Sequence, residues 1–349
     1  MTLIRPIAES DLDALITMAR ESGVGVTSLP DNPELMARKL KRAVASFQQK
    51  LPPEEAHYIF VMQETPDGPP VGLCGIEARI GRDEVWYNYR LGEVIQASET
   101  LGVYRRTPTL FLSNDMTGAT ELGSLYLREL SRRNRNGSVL SKSRYMFLAS
   151  FPKLFSERVI AEMRGYSDAN GISPFWEGLG KNFFNMKFSD ADFLTGSGNK
   201  VFIAELMPKF PIYVPMLNKA AQDVIGAVHP LTQPALAMLE SEGFRKNGFV
   251  DIFDAGPSVE CELSRIDGVR RSERLNTRIV ERTETDSSVR PQWLVCNERF
   301  SEFRLISLPH IYRDGPVLEL TQEQAEMLRV SAGDPVRIMS LKPEEPQDG

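Results

Sequence analysis

The chain has 349 residues, 42% of them hydrophobic and 25% charged, which allows a core of ordinary size and two or three folding units. Its formal net charge of −6 and pI near 5.4 argue against a nucleic-acid scaffold, which carries a basic surplus on one face. Cys74, Cys261 and Cys296 are far apart and lack C-x-x-C spacing, so neither a disulfide framework nor a zinc site is expected, and no metal is implied.

The chain opens with a strand, Leu3 to Pro6, and a helix capped at Ser10 ahead of apolar Leu12, Leu15, Ile16 and Met18. A second helix follows Asp31-Asn32-Pro33 and runs from Glu34 to Phe47. Strands His57 to Gln63 and Val71 to Ile80 flank a Pro- and Gly-rich turn and form a hairpin. Aromatic and β-branched runs between residues 81 and 120 predict further strands in a long excursion.

Glu121 to Leu130 reads as a strand and Gly137 to Phe151 as a helix, with a basic turn between them. Strand Val159 to Arg164, a helix from Pro174 to Phe184, strand Val201 to Leu206 and a helix near Ala220 to Val224 follow. From about residue 275 short strands dominate, with the helix Thr321 to Leu328 as the exception, and Lys342 to Gly349 is a polar tail expected to fray. The reading is an α+β fold: a mixed sheet with flanking helices over residues 1–274, with its core loop-helix unit at 121–151, and a small β-rich C-terminal subdomain over 275–349. The N-terminus lacks a long apolar segment and no stretch reaches membrane-spanning length, so the expected location is cytoplasmic, with no membrane or nucleic-acid partner.

The basic turn Ser131-Arg132-Arg133-Asn134-Arg135-Asn136-Gly137 leads from strand to helix. Helix N-termini leave backbone N–H groups unpaired and carry partial positive charge, so a pyrophosphate can dock there, and glycine permits close approach. A solvated basic loop before an ordinary helix is the competing reading. Arg132-x-x-Arg135-x-Gly137 resembles the R/Q-x-x-G-x-G/A pyrophosphate loop of the GNAT superfamily of N-acyltransferases, with Arg135 replacing the middle glycine.

A wider resemblance, to the arginine N-succinyltransferase family of bacterial arginine catabolism, covers almost the whole chain. It is carried by the segments Gly25 to Pro30, Asn136-Gly137 with Leu140 to Arg144, Glu162 to Gly165, Ser173 to Trp176, Ala204 to Pro208, Pro211 to Pro215, Val228-His229-Pro230 and Ile252 to Pro257. The resemblance implies a GNAT-like fold and transfer of a succinyl group from succinyl-CoA, a co-substrate rather than a permanently bound cofactor, to the α-amine of L-arginine. It also implies a homo- or hetero-oligomer with a related subunit. Ornithine or another amine as acceptor, and a non-catalytic partner subunit, are the alternatives.

In such a fold a bulged strand offers N–H groups to the thioester and pantetheine arm. The residues expected to meet CoA are Leu125 and Leu127 of the strand, Arg132 and Arg135 of the loop, and Gly137 and Ser138 at the helix start; Leu125 is equally compatible with core packing. His229 is the proton donor the resemblance implies, and an imidazole with a pKa of about 6.5 suits that task. His57 and His310 are read as structural. A guanidinium is best met by carboxylates in a bidentate fork, which makes Glu205 and Asp254 candidates for the arginine substrate; Glu205 is also a candidate general base, and either can instead pair with a structural Arg. Lys142 or Arg144 are candidates for the succinyl carboxylate, against the reading that they are solvated helix cations, and Phe175 and Trp176 either wall the substrate pocket or, as the preferred reading, belong to the core.

Overall fold

The computed structural model describes residues 1–23, 28–82, 85–168, 170–188, 190–191, 194, 201–281 and 292–341. Residues 25–27 of the first matching segment and the tail 342–349 lie outside them. The chain opens with β1 (Leu3–Pro6), α1 (Leu12–Ser22) and α2 (Pro33–Phe47). Asn32 caps α2, its Oδ1 accepting N–H bonds from Glu34 and Leu35, with Pro33 in the first turn where no donor is needed. The cap of α1 is Asp11 rather than Ser10; the Asp11 carboxylate instead accepts the Ala8 N–H and pairs with Arg5.

Strands β2 (His57–Gln63) and β3 (Gly72–Glu77) form the expected hairpin. β2 is buried along its whole length because it alternates between two cores: Tyr58, Phe60 and Met62 face one cluster, and Ile59 and Val61 the other. The long excursion is one hairpin, β4 (Asn88–Ser98) and β5 (Val103–Ser113). Next come β6 (Thr120–Leu127), α3 (Asn136–Ser150) and β7 (Arg158–Glu162), a strand–helix–strand unit whose two strands are parallel.

The helix at 174–184 combines a wide turn, Trp176–Gly180, with α4 (Lys181–Phe184). Residues Val201–Leu206 form a helix, α5, and not the expected strand: Val201, Phe202 and Ile203 favour a strand locally, but Ile203 and Met207 share one helical face in the core. The chain continues through β8 (Ile212–Tyr213), α6 (Lys219–Asp223), α7 (Gln233–Ser241), β9 (Arg245–Val250), β10 (Pro257–Glu262) and α8 (Asp267–Arg270). The C-terminal region holds β11 (Glu273–Ile279), β12 (Trp293–Asn297), β13 (Leu305–Leu308), β14 (Tyr312–Asp314), β15 (Val317–Leu320), α9 (Gln322–Leu328) and β16 (Pro335–Ser340).

The sixteen strands of the described residues make one mixed sheet in the order β14-β15-β11-β16-β12-β13-β1-β2-β3-β6-β7-β10-β9-β4-β5-β8. A mixed sheet with flanking helices and a β-rich C-terminal region is the class the sequence predicts. The C-terminal strands do not form a sheet of their own, because β13 pairs with β1 through Leu3 opposite Ile306 and Ile4 opposite Leu305. Leu3 joins the C-terminal core and Ile4 the central one, so one short strand ties the two together. No helix of the described residues is long and apolar enough to cross a membrane.

Candidate active site

β6 and β7 pair only at Thr120 with Val159 and Glu121 with Ile160, and then part. Beyond that point β6 is bulged. Leu73 faces Tyr126 and Gly75 faces Gly123, so Ser124 and Leu125 together stand opposite Cys74, and Ser124 takes φ 53°. A bulge next to a split bends the strand and re-aims its backbone groups. Leu127 is buried and Leu125 packs against the same core, so both side chains serve packing, which is compatible with a backbone contact to a ligand.

The loop after β6 brings α3 to the mouth of this split. Asn134 and Arg135 both adopt left-handed backbone, at φ 49° and 61°. Arg135 thus takes a conformation that glycine adopts readily, at the position where the resembled loop has glycine. Asn136 N–H donates to the Arg133 carbonyl and Val139 N–H to that of Arg135. The intervening Gly137 and Ser138 N–H groups lie in the first helical turn, where no helical acceptor exists. A Cβ at Gly137 would meet no protein atom within 4 Å, so the protein's own packing does not demand glycine there. Ser138 Oγ lies 3.7 Å from Met238 Sδ of α7.

The loop arginines are not equivalent. Arg132 Nε donates to the Leu127 carbonyl at 2.9 Å and closes the end of β6. Arg133 pairs with Glu64 of the β2–β3 hairpin at 3.2 Å, so a carboxylate from outside the turn does offset part of the loop's charge. Arg135 makes no ion pair with a described residue.

His229 stands on the other arm of the split. Its N–H donates to the carbonyl of Arg164, which follows β7, at 2.9 Å, and Val228 bridges Gly165. Its Nδ1 accepts the Leu231 N–H at 3.2 Å, which places the proton of the neutral ring on Nε2. Partial burial, and then the Arg164 charge, hold its pKa below the ordinary 6.5.

Asp254 sits beneath this loop. Its Oδ2 accepts Gly165 N–H at 2.7 Å and its Oδ1 accepts Gly256 N–H at 2.8 Å. Burial and the neighbouring Asp251 push its carboxyl well above the usual range. A Cβ on Gly256 would lie 2.0 Å from the Met163 carbonyl, and one on Gly165 2.3 Å from that of Asp254, so only glycine lets these backbones meet. Three matching segments, Glu162 to Gly165, Val228 to Pro230 and Ile252 to Pro257, thereby converge on His229.

Glu205 is exposed on α5, and no described contact joins it to His229 or Asp254. Phe175 and Trp176 are fully buried core residues. Lys142 is paired with the buried Glu242, whereas Arg144 is buried without a carboxylate. Sequence reading missed a group on the opposite face of the bulge. Glu77 is pushed up to about 7, by burial against the opposing pull of Arg42. His57, 4.0 Å from Glu77, is held well below 6.5 by burial, Arg42 and Lys39. Both flank Gly75, whose Cβ would lie 3.3 Å from His57 Nε2 and 3.4 Å from Ser124 Cβ, but the only signal in sequence is an ordinary alternating hairpin.

The chain is similar to known proteins along nearly its whole length. Residues 2–268 match the family described as arginine N-succinyltransferase beta subunit, and residues 276–340 match that described as its C-terminal domain. The chain is 47% identical over 350 aligned positions to the arginine N-succinyltransferase of Escherichia coli strain 55989, covering 99% of each, and equally so to that of strain UTI89. Among solved structures it is similar to arginine/ornithine succinyltransferase subunit AI from Pseudomonas aeruginosa, with 34% identity, a TM-score of 0.89 and coverage of 98% of this chain and 99% of that one.

Proposed function

The chain belongs to the arginine N-succinyltransferase family and is an acyltransferase, and on that premise we propose that it moves the succinyl group of succinyl-CoA to the α-amine of L-arginine, giving N2-succinyl-L-arginine and CoA. The observation that carries this reading is the split between β6 and β7, with a bulge and open helix N–H groups on one arm and His229 on the other. The pyrophosphate of CoA meets the N–H groups of Gly137 and Ser138, with Arg132 and Arg135 beside them. The backbone at Leu125 and Leu127 holds the pantetheine arm and thioester.

The neutral α-amine attacks the thioester carbon, the C–N bond forms and the C–S bond breaks. The surplus proton of the amine reaches the ring of His229 through solvent, and the imidazolium so formed gives its Nε2 proton to the departing thiolate, so the ring ends neutral and one proton moves from nitrogen to sulfur overall. Glu205 is proposed as the carboxylate that first takes that proton or faces the guanidinium. Asp254 is proposed on the acceptor side, where its carboxyl fixes the loop that carries His229.

We assign this activity to the cytoplasm and to succinyl-dependent arginine catabolism, with no permanently bound cofactor and no metal. Residues 1–274 are taken as the acyltransferase unit and 275–349 as its β-rich companion. Association with a second copy or a related subunit is supported by the β4–β5 ribbon. It pairs with the rest of the sheet only through Tyr89, Arg90, Thr109 and Leu110, and it exposes Ile95, Leu101 and Tyr104. An isolated two-stranded ribbon is marginally stable in water.

A second reading, transfer to ornithine, is motivated by the Pseudomonas aeruginosa relative, whose description names both amines. Competition between arginine and ornithine for succinyl-CoA, with the product mass read directly, separates the two. Predominant succinylornithine would reverse the assignment, and a purified chain without turnover would make it a partner subunit.

A further inference from the structure

We propose that Arg144 selects a succinyl group over an uncharged acyl group by pairing its guanidinium with the terminal carboxylate of the bound thioester. The inference rests on the reading above, that a succinyl thioester lies in the split between β6 and β7.

Arg144, on α3, is 2% exposed. Buried charges are ordinarily paired, because removing a cation from water costs several kcal/mol. Arg144 nevertheless forms no ion pair with any described residue. Neutral acceptors hold it instead: Nε donates to the Ser141 carbonyl at 3.2 Å, Nη2 to Ser141 Oγ at 2.9 Å, and Nη1 reaches the Gly123 carbonyl at 3.5 Å. A guanidinium has five N–H donors, so these three bonds leave two without an acceptor among the described residues.

The location gives this charge its meaning. Gly123 directly precedes the bulge residues Ser124 and Leu125, and β6 has left β7 by that point. The guanidinium is therefore fixed where the acyl end of a thioester lying along β6 would reach. Neighbouring cations are engaged elsewhere, Lys142 by Glu242 and Arg133 by Glu64.

A planar fork already oriented by Ser141 matches a carboxylate with little further ordering. An acyl group without a terminal anion leaves the buried cation uncompensated, and that asymmetry is the source of selectivity. A merely structural strut between α3 and β6 makes a different prediction, since its loss weakens every acyl donor alike.

The test uses the purified full chain with arginine and two donors of equal carbon count, succinyl-CoA and butyryl-CoA. The wild type is expected to favour succinyl-CoA in kcat/KM by about 10²-fold or more. Arg144→Met is expected to lower kcat/KM for succinyl-CoA by about 10²-fold and to leave that for butyryl-CoA within about threefold, with CoA affinity and Tm near wild type. An equal loss for both donors, or an unchanged ratio, overturns the proposal. If Arg144→Met does not fold, Arg144→Lys decides: it keeps the charge without the fork, and the donor ratio should fall about tenfold. An unchanged ratio in that variant overturns the proposal as well. A wild type that releases no CoA from succinyl-CoA with arginine present would instead overturn the succinyl reading itself.

Discussion

Asp254 holds Gly165 in place: its Oδ2 accepts the glycine N–H at 2.7 Å, and the neighbouring Arg164 carbonyl in turn receives the N–H of His229 at 2.9 Å. A buried carboxyl thus sets the position of the imidazole without touching it. Asp254→Ala leaves the Gly165 and Gly256 donors buried and unpaired. The variant should lose about 2–3 kcal/mol in urea unfolding, and kcat should fall while CoA affinity in titration calorimetry is retained. Unchanged stability would show that water replaces the carboxyl and that the clamp is unimportant.

Gly137 separates ligand demand from packing demand. Because a Cβ there meets no protein atom, Gly137→Ala should leave Tm unchanged or raise it by the helix-propensity gain of about 1 kcal/mol. The KM for succinyl-CoA should nevertheless rise, by about tenfold on a loss of roughly 1.4 kcal/mol of binding. A variant with wild-type KM would remove the helix start from the CoA site.

His57 gives the fold a pH signature. Its folded-state pKa lies well below the ordinary 6.5, so its contribution to stability is present above that value and is lost as pH falls through the folded pKa. The neighbouring Glu77 is raised to about 7, so its contribution is full below 4.5 and is lost as pH rises through 7. His57→Gln should therefore be less stable than wild type at pH 8, with the gap narrowing as pH drops from about 6.5 to 5. A gap in Tm that is constant with pH would contradict the burial of a neutral ring.

The β4–β5 ribbon is the proposed association surface. Ile95→Glu places a charge on its exposed apolar side, and light scattering after gel filtration should show a smaller species with an unchanged core Tm. An unaltered molar mass would place association elsewhere.

Much of the fold around the candidate site was legible because its signals are local. The capped α2, the hairpin β2–β3 and the strand, loop and helix from Thr120 to Ser150 each follow from periodicity and terminal residues within a short window. What the sequence did not disclose depends on partners far along the chain. The pairing of Glu64 with Arg133, the clamp of Asp254 on Gly165 and the joining of β13 to β1 cross long separations. The reversal of Val201–Leu206 from strand to helix has the same origin, since core contacts through Ile203 and Met207 outweigh the β-branched residues. Arg135 is a subtler case: the residue type departs from the glycine of the superfamily loop, while its backbone is left-handed, a conformation the residue type does not announce.

The central claim is succinyl transfer to arginine with His229 as proton donor, and free-thiol release measured across pH 6 to 9, the range that brackets an ordinary His and amine, tests it most directly. The account predicts arginine-dependent CoA release that needs both the neutral amine and the neutral ring at the outset and so falls toward acid, with the step that belongs to His229 lying below 6.5. It also predicts a fall in kcat of on the order of 10²-fold or more in His229→Ala with CoA binding intact. No arginine-dependent release at any pH in that range would contradict the transfer, and full activity in His229→Ala would remove the histidine from the reaction.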